Sequence, residues 1–250
     1  MSDQSSSLER LKETLSDLLF PRICRSCGST FEEGHSNILC SPCFDSVLPY
    51  QEPCCDHCGI SLPARGFEDS QSTRCADCGE GTYHLQKVKA WGPYVGPLRI
   101  LHHAFKFEGM EGLKREIADR SFQTIPSGFW EGVEALVPVP MSPEKERERG
   151  YNPSFLMGQE LSRIADIPSV QLLKKIRKTP PQMALSKTQR LKNPAGAYAV
   201  SQGSPLPHKL VLVDDVFTTG ATLEECAKIL REAGVQWVGA VVFGRTPHQI

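Results

Sequence analysis

Five leucines open the chain at helical spacing. Leu8, Leu11, Leu15, Leu18 and Leu19 share one face and Pro21 ends the stripe, so residues 1–20 are expected to hold an amphipathic helix. Large apolar residues then become scarce until Val88, Ala90 and Trp91 begin ordinary core-like sequence. Leu98, Leu101, His102 and Phe105 line one side of a helix expected from Pro97 to Phe107, with a second from Met110 to Phe122. Ala135 to Pro140 reads as a buried strand with a proline-fixed exit loop. A helix with Phe155, Leu156, Leu161 and Ile164 as its apolar positions follows to about Ala165. Short strands are expected at Val170–Leu173, Ala197–Val200, Leu210–Val213 and Val238–Phe243, and a helix from Thr222 to Ala233 stops at Gly234. Leu210–Val213 is apolar throughout, which suits a parallel strand covered on both faces. Alternating strands and helices imply an α/β domain built on a mostly parallel sheet.

Charge changes this picture little. Lys plus Arg number 28 against 29 Asp plus Glu, so nothing global favours nucleic acid. Locally, 174–192 is rich in Lys and Arg, holds no acid and contains Pro180 and Pro181, so it is expected to be a long mobile loop. Such a loop suits closure over a diphosphate or contact with a nucleic-acid backbone. No apolar run reaches the roughly 18–20 residues that span a bilayer. The polar N-terminus has no apolar signal region, and a cytoplasmic location is expected.

Cysteine changes the picture more. Nine of the ten cysteines fall between Cys24 and Cys78, which marks a small cysteine-rich unit ahead of the α/β part. Without a secretory signal, metal is favoured over disulfides. The pattern is four Cys-x-x-Cys knuckles: Cys24/Cys27, Cys40/Cys43, Cys55/Cys58 and Cys75/Cys78. Gly28, Gly59 and Gly79 follow three of them and permit the tight turn a knuckle needs. Pairing knuckles one with two and three with four gives two closed thiolate sites for structural Zn²⁺. An interleaved pairing, one with three and two with four, also satisfies the count. Cys54 stands beside Cys55, and the spacing to Cys58 favours Cys55 as ligand. His57, inside a knuckle, is expected to be an exposed loop residue, and Cys226 a small buried side chain.

The candidate binding chemistry begins where the Leu210–Val213 run stops. Asp214 and Asp215 are costly to bury unless something pairs with them, and ligands bind at the carboxyl ends of parallel strands. Carboxylates there suit a vicinal diol such as that of a ribose. Thr218, Thr219, Gly220, Ala221 and Thr222 follow, with small side chains, hydroxyls and the free N–H groups of a helix start, which suit a phosphate. The charged run Glu144–Arg149 lies after a strand exit, where Arg149 suits a diphosphate. His102 and His103 are expected to be packing or surface residues.

The strand, the acid pair and Thr-Thr-Gly-Ala-Thr resemble the type I phosphoribosyltransferase signature. The knuckles, Phe105-Lys-Phe107 with Gly109, Val137-Pro-Val-Pro140, Arg149-Gly-Tyr-Asn152, Arg177-Lys-Thr-Pro-Pro-Gln182 and Arg190 with Asn193 extend the match. With them, nearly the whole chain resembles the ComF family, which joins a zinc-ribbon segment to a phosphoribosyltransferase-type domain and is linked to DNA uptake in natural competence. Pro153 departs from it, since the family commonly has Gln there. The resemblance implies a helix over 1–20, a double zinc ribbon over 21–84 and a type I phosphoribosyltransferase-like domain over 85–250. It implies that 5-phosphoribosyl-1-diphosphate binds with Mg²⁺: Asp214 and Asp215 on the diol, Thr218 to Thr222 on the 5-phosphate, and Lys106, Arg149, Arg177 and Arg190 on the diphosphate. Transfer of this kind rests on positioning and electrostatics, so no nucleophilic side chain is assigned. The acceptor has no signature in the sequence. A second expectation is a non-catalytic accessory protein whose ribbons and 174–192 segment contact single-stranded DNA or a DNA-uptake partner.

Overall fold

The computed structural model describes residues 21–32, 37–63, 74–79, 81–179, 193–201, 203 and 205–247. The helix expected over 1–20, and Arg190 within the basic segment, lie outside these residues.

Four parallel strands carry the fold: β1 (Lys87–Pro93), β2 (Ala135–Pro138), β5 (Lys209–Phe217) and β6 (Trp237–Arg245), in the spatial order β1-β6-β5-β2. The period-two rule of a strand sorts their side chains onto two faces. Val211, Val213, Val241 and Phe243 enter one apolar core, and Leu210, Leu212, Ala240 and Val242 enter the other. The first core is closed by α2 (Gly96–Phe107), α3 (Lys114–Gln123) and α5 (Pro153–Ala165), the second by α6 (Ala221–Glu232). Both faces are therefore dry, as the unbroken apolar run in β5 requires.

The cysteine-rich segment does not stand apart from these cores. Cys24, Cys40, Leu39 and Phe44, the last in the short helix α1 (Ser41–Asp45), share the first core with Trp91, Leu98 and Leu101. Cys55, Cys58 and Leu62 share the second core with Phe217, Leu223 and Leu230. The chain crosses the β1 edge between them. A Cβ on Gly92 would stand 2.9 Å from the Leu48 carbonyl oxygen, and one on Gly59 would stand 2.8 Å from that of Val88.

Several expectations change. The strand through Leu210–Val213 continues past both aspartates to Phe217, because β6 runs on beside it and pairs Val242 with Asp214 and Gly244 with Val216. The strand expected at Val170–Leu173 shifts to β3 (Leu173–Lys175), which pairs antiparallel with β4 (Tyr198–Val200) outside the main sheet. Residues 168–170 instead bridge the outer edge of β2, where Leu136 donates to the Pro168 carbonyl and Val170 to that of Leu136. The charged run forms α4 (Pro143–Arg149), with Ser142 accepting from the Lys145 N–H as N-cap and left-handed Gly150 at its end. His57 is not exposed: it is 6% accessible and stacks on Tyr83 with ring centroids 3.5 Å apart. Cys226 is buried as expected.

Candidate functional site: two thiolate tetrads and a cleft

Cys24, Cys27, Cys40 and Cys43 form one group and Cys55, Cys58, Cys75 and Cys78 another, with all donor atoms of a group within 4.8 Å of one another. A tetrahedral Zn²⁺ with bonds near 2.3 Å separates its sulfurs by about 3.8 Å. The Cys27–Cys40 and Cys58–Cys75 sulfurs stand 3.8 and 3.7 Å apart. The donor set and spacing therefore fit two closed structural zinc sites, paired one with two and three with four. The knuckle glycines take positive φ, and their N–H groups return to the first cysteine, as in Gly28 to the Cys24 carbonyl and Gly59 to that of Cys55. Cys54 takes no part; its Sγ lies 3.2 Å from the Gln51 carbonyl oxygen.

The second feature is a cavity of about 490 Å³ at the carboxyl ends of the parallel strands. Asp214, Asp215, Thr218, Gly220, Ala221 and Thr222 line one side, and Lys106 and Arg149 the other. Thr219 bonds within the turn, its Oγ1 accepting from the Ala221 N–H at 3.4 Å. Gly220 has φ +74° directly before α6, a left-handed conformation that only glycine adopts without strain. Arg177 is held elsewhere. Its guanidinium donates to the Asn193 and Ala195 carbonyls at 2.9 and 2.7 Å, and so ties together the two sides of segment 180–192.

The acid pair is asymmetric. Asp215 pairs with Lys106 Nζ and stands 3.5 Å from His102 Nε2. Burial pushes its carboxyl up, but the Lys106 charge and His102 overcome this and hold it well below the ordinary carboxylate range. Asp214 accepts from the Ser154 hydroxyl at 3.1 Å and from the Asp215 N–H at 2.9 Å. Burial, reinforced by the adjacent Asp215 charge, raises it to about 7. One carboxyl is thus firmly ionised, and its neighbour titrates near neutrality.

His102 is a packing residue as expected, in ring contact with Tyr94 and Phe243, and it also backs this pair. Its Nδ1 lies 2.7 Å from the Tyr94 hydroxyl, and burial lowers its pKa against the pull of Asp215. A neutral ring accepting from the Tyr94 O–H carries its proton on Nε2, toward Asp215. The sequence signal was the i,i+4 spacing of His102 and Lys106, which puts both on one face of α2. Ser154 was also missed. It is set by Asn152, whose Oδ1 accepts from the Ser154 N–H at 3.0 Å while its Nδ2 donates to the Val139 carbonyl at 3.1 Å. The stretch 149–152 thus has separate tasks. Arg149 faces the cleft, Gly150 turns the chain, Tyr151 bonds the Phe105 carbonyl, and Asn152 caps α5. Pro153 occupies the first turn of α5, where its missing N–H costs nothing.

Both parts have counterparts in known proteins. The double zinc ribbon domain matches residues 15–82 and the phosphoribosyl transferase domain residues 152–250. Competence protein F of Haemophilus influenzae is 33% identical over 207 residues, covering 80% of this chain and 87% of that protein. Competence protein ComFC of Streptococcus pneumoniae is 26% identical across 85% of this chain and 95% of its own. DNA utilization protein YhgH of Salmonella typhimurium is 28% identical across 92% and 99%. With zinc-ribbon tetrads and a phosphoribosyltransferase-type sheet in one chain, and a relative of this identity aligned over most of its length, the protein belongs to the ComF family.

Proposed function

We propose that the cleft binds 5-phosphoribosyl-1-diphosphate with Mg²⁺, and that the protein serves DNA uptake in the cytoplasm, either by transferring the phosphoribosyl group to an acceptor or by responding to that ligand. One observation carries this reading: a partly paired acid pair in the carboxyl-terminal half of a parallel strand shares a single cavity with a glycine-opened helix start. Asp214 and Asp215 accept from the ribose diol. The turn from Thr218 to Thr222 presents N–H groups and hydroxyls to the 5-phosphate. Lys106, which sits on Asp215 without ligand, moves to the diphosphate beside Arg149, and Mg²⁺ supplies the remaining neutralisation through oxygen ligands. Arg190 is assigned to the diphosphate by the resemblance, while Arg177 acts by anchoring the segment that carries it. Residues 1–20, 21–84 and 85–250 remain the proposed division into helix, ribbons and transferase-like part. The place in DNA uptake is supported by the names of the relatives, two of them competence proteins.

The titration of Asp214 gives the test. Diol hydroxyls donate to the ionised carboxylate, so the ligand favours the deprotonated form of a group standing at about 7. Calorimetric titration of the two-zinc protein with the ligand and Mg²⁺ is expected to show tighter binding at pH 8 than at pH 6. Asp214→Asn is the control, because the ligand's own phosphate also titrates near pH 6. That variant should lose the Asp214 share of the pH dependence. Absence of binding by the folded wild type at both pH values would remove the reading. The same shift has the opposite sign for the free fold. From about 4 to about 7 the folded Asp214 keeps a proton that the unfolded chain has lost, so stability falls as pH rises through that window.

A second reading, single-stranded DNA at the cleft mouth, is favoured by Phe107. Its ring is 53% exposed, with the Arg149 guanidinium 5.2 Å, Lys106 Nζ 5.7 Å and the His103 ring 5.1 Å away. An exposed aromatic among cations is a base-stacking platform. Phe107→Ala is expected to weaken oligonucleotide binding about 10-fold in fluorescence anisotropy, from roughly 1–3 kcal/mol per stacked base. Equal affinity in the variant would discard the platform.

A further inference from the structure

Arg245 closes β6 and is 3% exposed, with each of its three guanidinium nitrogens engaged. Nε donates to the Cys58 carbonyl at 2.8 Å, one terminal nitrogen lies 3.2 Å from Cys58 Sγ, and the other donates to the Thr246 carbonyl at 2.6 Å. A zinc ion held by four thiolates leaves a net negative centre. Each tetrad has two buried cysteines, Cys24 and Cys40 in the first and Cys55 and Cys58 in the second; the first is opened to water by exposed Cys27, whereas Cys75 and Cys78 of the second are half-buried. Buried charge needs a paired counter-charge. Among the described residues Arg245 supplies it to the second tetrad directly, by a charged hydrogen bond to a ligand sulfur.

The same side chain reaches the phosphate turn. The Arg245 guanidinium stands 5.9 Å from the Phe217 ring centroid, and His57, within the third knuckle, meets that ring edge-on at 6.2 Å. Thr246 N–H donates to the Phe217 carbonyl at 2.9 Å. Phe217 in turn lies under Gly220: a Cβ on Gly220 would stand 2.4 Å from Phe217 Cζ. On the far side, Glu224 in the first turn of α6 accepts from the His84 and Leu85 N–H groups at 2.7 and 3.2 Å, just beyond the second ribbon. The turn is therefore braced from below and from the side by the ribbon and its exit.

We propose that Arg245 is a positioning residue coupling the second zinc site to the phosphate turn. Metal in that site holds the Phe217–Gly220 turn in its binding conformation. Ligand in the turn holds Phe217 and the Arg245 brace in place, and so slows loss of zinc from that site and not from the first. This rests on the phosphoribosyl diphosphate reading above.

The experiment follows zinc release from the full-length, two-zinc protein into a chromogenic chelator, with and without 5-phosphoribosyl-1-diphosphate and Mg²⁺. Two phases are expected, a fast one from the open first tetrad and a slow one from the second. Ligand should retard the slow phase and leave the fast phase alone. Arg245→Gln should weaken zinc binding at that site roughly 10- to 100-fold, the usual effect of losing an outer partner of a metal ligand, accelerate the slow phase, and weaken ligand binding in calorimetry. Arg245→Lys keeps the charge without the fork and should fall between. Faster zinc release with ligand affinity within about twofold of wild type would overturn the coupling, as would ligand that binds wild type yet protects neither zinc. That protection arm needs no variant, so misfolding of Arg245→Gln does not shield the proposal. Failure of wild type to bind the ligand at all is a different result, and removes the reading beneath it as well.

Discussion

Replacing Asp214 and Asp215 together by asparagine is expected to weaken binding of 5-phosphoribosyl-1-diphosphate with Mg²⁺ by roughly 10²- to 10⁴-fold, with little net change in thermal stability. The magnitude follows from losing two charge-assisted hydrogen bonds at about 1.5–3 kcal/mol each. The stability half of the expectation is what separates a binding role from a structural one. Asp214 is held in a partly buried site beside a second carboxyl, and its raised pKa records the cost of ionising it there. Asparagine keeps the shape and the acceptor for the Ser154 hydroxyl while removing the repulsion. Lys106 and His102 lose their partner in Asp215, a loss that opposes the gain at Asp214. Paired calorimetry and thermal unfolding check both halves. Wild-type affinity in the double variant would remove the acids from the site.

The largest effect on the fold should come from Cys55→Ser combined with Cys58→Ser. Zinc content is expected to fall from two ions per chain to one, with loss of the soluble folded protein at ordinary growth temperature. Structural zinc in small cysteine sites contributes about 10–16 kcal/mol of apparent folding free energy, while a whole domain is stable by only about 5–15 kcal/mol. Here the second tetrad also fills part of a core shared with Leu223 and Leu230 of α6, so the sheet loses packing along with the metal. Elemental analysis of the purified variant and its unfolding curve decide the matter. A one-zinc protein that unfolds within a few degrees of wild type would show that the second site carries little of the fold.

Local signals made much of this legible. The knuckle pairing, the apolar run of β5, the acids with the following Thr-Thr-Gly-Ala-Thr, and helices α2, α5 and α6 all rest on spacing between near neighbours. Expectations failed where a partner distant in sequence decided the outcome. His102 packs as expected, but its further role comes from Asp215 on β5 and Tyr94 just past β1. His57 is buried because Tyr83 folds back on it. The strand of 209–217 outlasts its apolar run because β6 continues alongside. Arg177, placed on the diphosphate by the resemblance alone, donates here to the Asn193 and Ala195 carbonyls.

The outer edge of β1 has a consequence for how the chain must be made. In a four-strand parallel sheet both outer strands offer unpaired backbone groups to any other extended chain. Here each is covered in part. Residues 168–170 lie along β2, and the third knuckle lies along β1, where the Val88 N–H donates to the Asp56 carbonyl at 2.9 Å. Asp56 sits between two thiolate ligands, so that cover exists only when the knuckle is formed. The metal is thus a guard against self-association as well as a staple. The ribbons are synthesised before the sheet, and chains completed under zinc starvation would emerge with a bare apolar edge and accumulate as aggregates rather than as soluble apoprotein.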